Sequence, residues 1–190
     1  MSLYGFVLFL HVAAVLGLFV CLGFEALSLF RLRRASTLAE ARPWIDPVPR
    51  LPLWTGVSAL VVFGSGIYLA MRMSAFGQTW IDLTIIALLL IAPLGALTGK
   101  RMRTIRQALT DASTLEPELF TRLDDALLKI SLSVRIFTFL GIVLLMAAKP
   151  ELSPSVSIVV SSIFLGVLAP LAFWRRRTLV SAAGTTLGNR

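Results

Sequence analysis

Residues 3–30 read LYGFVLFLHVAAVLGLFVCLGFEALSLF and contain one charged side chain, Glu25. An apolar run of this length exceeds the ~20 residues that carry a helix across a ~30 Å hydrocarbon core. Four more stretches of the same kind follow: Leu51–Met71, Trp80–Gly99, Ile130–Ala148 and Ser155–Trp174. The chain therefore reads as all-α, a polytopic transmembrane helical bundle of five spans.

Composition agrees. Hydrophobic residues make up 57% of the chain and charged residues 15%, and the mean hydropathy is +0.85. A soluble domain carries about a quarter charged residues, and a soluble core cannot hide this much apolar surface. The single cysteine, Cys21, lies within the first span, which excludes an intrachain disulfide. The net charge of +8 does not point to nucleic acid, because the basic residues stand in blocks beside span ends. Topology and anionic headgroups account for that placement. The lipid bilayer is the expected partner, with a membrane-protein partner or a second copy of the chain beside it.

The N-terminus Met1-Ser2-Leu3-Tyr4 lacks a basic region, and the apolar run behind it outlasts a signal peptide's core. The first span is expected to be kept as a helix. The sequence contains no P-loop, dinucleotide glycine fingerprint, CxxC or HExxH pattern.

The charges also predict orientation. The first gap between spans holds Arg31, Arg33, Arg34, Arg42 and Arg50; the second holds only Arg72. The third holds Lys100, Arg101, Arg103, Arg106, Arg122 and Lys129, the fourth only Lys149, and the tail Arg175, Arg176, Arg177 and Arg190. Rich and poor gaps alternate as five spans demand, with the N-terminus outside and the C-terminus in the cytoplasm. Trp44, Trp54 and Trp174 would anchor the cytoplasmic boundary, and Trp80 and Tyr68 the outer one. Pro52 and Pro154 suit helix starts. Thr79-Trp80-Ile81-Asp82 reads as a capping box that makes Asp82 part of a helix cap.

In the third gap Met102, Ile105 and Leu109 continue a helical apolar spacing, and Leu119, Leu123, Leu127 and Ile130 do the same ahead of the fourth span. The spacing predicts a cytoplasmic helical hairpin over about 100–129, turning near Asp111–Glu116. Residues 1–178 then form one bundle, and 179–190 a flexible cytoplasmic tail.

Charged and polar residues inside spans are few, and they usually face the bundle or a wet cavity. His11, the only histidine, shares a helical face with Ala14, Cys21, Glu25 and Ser28. That face is expected to look inward. His11 has two readings: a haem, metal or proton-relay residue, or a neutral histidine bonded to a neighbouring helix. Glu25 and Arg135 are expected to pair. Topology puts them at similar depth, and an unpaired charge at either place would be costly. Arg135 lies in a stripe with Ser131 and Thr138. Ser157 with Ser161, Ser162 with Gly166, and Gly64 with Gly66 read as close-packing residues. No catalytic residue and no metal-ligand set is evident.

Leu10-His11-Val12-Ala13-Ala14-Val15-Leu16-Gly17 resembles the first helix of small bacterial integral-membrane families that begin with an LHVxxAxxxxG helix. These include a predicted integral membrane family of unknown function, the copper-resistance D membrane domain and the HemJ-type protoporphyrinogen oxidase. The HemJ resemblance implies haem ligation, carried over only to His11. The chain departs from these families in three ways. Leu16 stands where they carry tryptophan, no second histidine is present, and no mid-span lysine matches. The resemblance points best to the uncharacterised family, in a bacterial inner (plasma) membrane.

Three functions follow as expectations. The first is a non-enzymatic bundle acting as a membrane partner subunit or scaffold. The second is a haem- or metal-linked redox protein using His11. The third is a small-solute transporter, against which an odd span count weighs.

Overall fold

The computed structural model describes residues 2–35, 37–45, 50–111 and 126–187. They form six α-helices and no strand: α1 (Leu3–Leu32), α2 (Leu38–Ile45), α3 (Leu51–Arg72), α4 (Thr79–Asp111), α5 (Ala126–Ala148) and α6 (Leu152–Leu187). Five of these helices, all except α2, are long and apolar enough to cross a membrane. With large apolar side chains such as Phe9, Leu60 and Leu89 facing outward, the chain is a multi-pass helical membrane protein. Water could not hold such a surface, whereas lipid can.

Local signals explain the helix ends. Ser2 caps α1 by accepting from the Gly5 N–H at 3.2 Å. Pro52 sits in the first turn of α3, where a missing N–H is harmless. Lys149 ends α5 in a left-handed conformation (φ 46) with its N–H bonded to the Leu145 carbonyl at 2.8 Å. At the start of α4 the expected cap shifts by one residue. The N–H groups of Ile81 and Asp82 both donate to the Gln78 carbonyl, so Gln78 holds the cap position. Trp80 Nε1 also donates to Gln78 Oε1 at 2.8 Å. Asp82 is left in the first turn, where the helix dipole favours it.

The element missing from the sequence reading is α2. Its signal is Thr37-Leu38-Ala39-Glu40, a capping box in which the Glu40 N–H donates to Thr37 Oγ1 at 3.3 Å. Ala41 is buried on its inner face, and Leu38, Trp44 and Ile45 pack with it.

The third span continues as α4 to Asp111, 33 residues or about 50 Å, longer than the ~30 Å hydrocarbon core. The turn expected near Asp111–Glu116, with Leu119 and Leu123, lies outside the described residues. The backbone of α6 is helical through Leu187, so it carries on into the segment 179–190 expected as a flexible tail.

The helices alternate in direction. Leu29, Leu32, Ala41, Met102, Ile105 and Leu128 gather in one cluster, which brings the first and third gaps to the same end. Ala70, Ala75, Trp80 and Ile81 pack at the other end, where Lys149 Nζ lies 5.8 Å from the Trp80 ring centroid. The rich gaps and the poor gaps thus occupy opposite ends.

Two pairs of helices are closely packed, α1 with α3 and α5 with α6. Glycine makes the second contact possible: a Cβ on Gly166 would stand 2.6 Å from Val134 Cα. In the first pair, a Cβ on Gly17 would stand 3.1 Å from Ser58 Oγ. α4 lies on α5, and α2 bridges α1 and α4 at the basic end. α3 and α4 scarcely touch although they are consecutive.

Candidate functional site

That separation opens a cleft. A cavity of about 620 Å³ lies between the α1/α3 pair and the α4/α5 pair, within the ~300–1,000 Å³ of small-molecule sites. On the α3 side it is bounded by Pro52, Gly56, Ala59 and Phe63, and on the α4 side by Leu89, Ala92, Ala96 and Gly99. All eight are exposed. With both edges exposed, the cleft opens sideways, toward lipid in a membrane. Along α4 the lining runs from Leu88 to Arg106, about 27 Å at 1.5 Å per residue. The wall is apolar except for Glu25, Thr55, Arg106 and Arg135.

Glu25 and Arg135 meet in this wall. Arg135 Nη2 donates to Glu25 Oε1 at 2.7 Å, joining α1 to α5. Arg135 is 7% exposed. Its aliphatic part packs beside Gly95 of α4, where a Cβ would stand 3.7 Å from both Cδ and Nη1. The Arg135 Nε–H is buried without an acceptor among the described residues.

The other polar residues of α1 and α5 go elsewhere. His11 is 8% exposed, with Nδ1 2.9 Å from Ser65 Oγ on α3. Ser65 Oγ also lies against the carbonyl of Val61. The His11 and Ser65 side chains share one hydrogen bond, whose direction follows the histidine tautomer. The ring lies against Gly66, where a Cβ would come within 3.4 Å of Cε1. Ser28 Oγ donates to the Trp44 carbonyl of α2 at 2.7 Å. Cys21 is buried as a free thiol. Ser131 lies 2.6 Å from Thr98 Oγ1 and 3.1 Å from the Leu94 carbonyl of α4. Thr98 also reaches that carbonyl, at 2.8 Å. Two hydroxyl hydrogens stand among these three contacts. Thr138 Oγ1 is buried without a partner among the described residues.

The polar face of α1 is thus spent on three neighbours: His11 on α3, Glu25 on α5 and Ser28 on α2. His11 and Glu25 are separated by about 21 Å along the helix and do not form one site. His11 is not part of the cleft wall. Among the described residues no group of three His, Cys, Asp or Glu could hold a metal ion.

The cleft itself and Arg106 were not legible in the sequence. Ser65 lies between Gly64 and Gly66, whose small size signals only packing. The small residues Gly56, Ala59, Ala92 and Ala96 were a signal of close approach, but here they mark where helices stay apart.

No protein-family model, curated protein or solved structure matches the chain. Fold and site define the class, a five-span multi-pass membrane bundle with an ion-paired lateral cleft.

Proposed function

We propose that this protein is a non-enzymatic binding bundle of the membrane, which receives an apolar chain from the bilayer into the cleft between α3 and α4. The observation that carries this is the cleft: large enough for a small molecule, apolar along its length, and open sideways where lipid would stand. As a partner subunit or scaffold, the bundle would present or withhold that molecule. Redox chemistry at His11 has less support, because His11 lies outside the cleft wall.

The same reading includes an orientation, with the N-terminus outside and the basic end in the cytoplasm of a bacterial inner membrane. The six charged residues Glu25, Arg72, Asp82, Arg135, Lys149 and Glu151 cancel, so the net +8 resides in the two basic gaps and the tail. Anionic headgroups and the positive-inside bias favour that end on the cytoplasmic side.

Mass spectrometry of the intact protein released from micelles tests the binding function. Adducts of lipid mass are expected on the natural chain and reduced on Ala96→Phe, which fills the cleft. Bare protein in both cases would overturn the reading.

A further inference from the structure

We infer that the molecule whose chain enters the cleft is an anionic phospholipid, with its phosphodiester held at the basic end by Arg50, Arg103 and Arg106. The inference rests on the cleft being a binding site for an apolar chain and adds the head that comes with it.

The cleft is positive at one end only. Glu25 and Arg135 are joined at 2.7 Å and sum to zero. The remaining charged residue of the wall is Arg106, so the wall as a whole is cationic. Arg135 stands level with Gly95 of α4. Arg106 follows Gly95 by eleven residues, about 16 Å further toward the basic end.

Two exposed arginines belong to the same end. Ala92, Ala96 and Gly99 line the cleft, and Arg103 continues their helical face at spacings of four, three and four residues. Arg50 turns the chain into α3, immediately before Leu51 and Pro52 of the lining. Side chains on a helix lean toward its N-terminus. The N-terminus of α4 is at the opposite end, so Arg103 and Arg106 lean back toward the cleft. The first and third gaps together hold eleven basic and seven acidic residues. Pairing within them therefore leaves a positive surplus for an outside anion.

Length selects a lipid of one leaflet. The lining of α4 from Leu88 to Gly99 carries no charge and covers about 16 Å, and half of a ~30 Å hydrocarbon core is ~15 Å. A lipid of the leaflet at the basic end can lay one chain in the cleft while its phosphate stays at its own depth. Arg103 and Arg106 stand about 6 and 10 Å past Gly99, across the ~5–8 Å headgroup layer, and their side chains lean back into it. A guanidinium grips a phosphate through two parallel hydrogen bonds. Phosphatidylglycerol presents that anion alone. Phosphatidylcholine adds a quaternary ammonium, which the arginines repel. Glu25 repels an anion from the deeper wall and so keeps the head at the basic end.

The test is mass spectrometry of the intact full chain released from micelles. The micelles contain equal mole fractions of palmitic acid and of phosphatidylglycerol and phosphatidylcholine with the same acyl chains, and adduct mass names the occupant. On the natural chain, phosphatidylglycerol adducts are expected to exceed phosphatidylcholine adducts at least about fivefold. Arg103→Gln/Arg106→Gln should bring that ratio to about one while keeping phosphatidylcholine adducts. Arg50→Gln/Arg103→Gln, which changes only exposed residues, should lower it about twofold or more and keeps the test decisive if the first variant misfolds. Arg34→Gln/Arg42→Gln removes the same charge from exposed residues outside the wall and should leave the ratio unchanged. Ala96→Phe and, as a second cleft-filling variant, Gly56→Leu should lose adducts of both lipids.

Both lipids bound equally by the natural chain, and lost from the filled variants, would overturn the anionic head while leaving the binding function intact. So would palmitic acid adducts in excess of phosphatidylglycerol adducts, or a preference that both cleft-arginine variants keep. A ratio that falls as far in Arg34→Gln/Arg42→Gln as in Arg50→Gln/Arg103→Gln would also overturn it. No adducts at all, or adducts undiminished in both filled variants, would overturn the binding function as well.

Discussion

Arg135 Nη2 and Glu25 Oε1 lie 2.7 Å apart although 110 residues separate them in the chain. This contact ties the α1/α3 pair to the α4–α6 group beside an open cleft, where few other contacts cross. It is a structural bridge and part of the cleft wall at once.

Removing one partner should be costly. Glu25→Ala and Arg135→Ala each leave an uncompensated charge, worth ~3–5 kcal/mol when a buried pair is broken. Thermal unfolding in detergent is expected to show a large loss for each single variant and a smaller loss for the double variant than their sum. Strict additivity would show that the two side chains do not stabilise each other.

Gly166 is expected to tolerate no side chain. A Cβ there would stand 2.6 Å from Val134 Cα and 3.0 Å from its nitrogen, and backbone cannot swing aside as a side chain can. Gly166→Ala should cost ~1–3 kcal/mol, as other overpacked contacts do. Gly64→Ala, with nothing within 4 Å of its new Cβ, should stay within ~0.5 kcal/mol of the natural chain. Melting temperatures of the two variants decide the point.

His11 and Ser65 form one coupled unit between α1 and α3. His11→Ala and Ser65→Ala are each expected to lower stability by ~0.5–1.5 kcal/mol, with a double-mutant coupling near the ~0.6 kcal/mol typical of hydrogen bonds between membrane helices. Absorbance spectra of the purified proteins run beside this. A Soret band that His11→Ala abolishes would move His11 from packing to haem binding.

Orientation is open to labelling. In a Cys21→Ala background, Phe76→Cys sits in the short turn between α3 and α4, and Arg42→Cys on the exposed side of α2. A membrane-impermeant maleimide is expected to reach position 76 in intact cells and position 42 only after permeabilisation. The reverse result would invert the topology.

The sequence by itself determined the class of this protein. Apolar length needs no neighbour to be recognised, because each span satisfies its own backbone in lipid. The alternation of charge-rich and charge-poor gaps is likewise a property of the chain in order. Glu25 and Arg135 were legible as partners for the same reason: depth along a helix is counted in residues, and charges inside a span are few. The cleft was not. Whether Gly56, Ala59, Ala92 and Ala96 bring two helices together or mark where they part depends on which helix each pairs with, and nearly every side of these spans is apolar. Apolar periodicity orients a helix when one face must meet water, and here lipid and protein interior are alike to a leucine. Only the tertiary packing, with Gly17 against Ser58 and His11 against Ser65, decided that α3 pairs with α1 and leaves α4 open across the cleft.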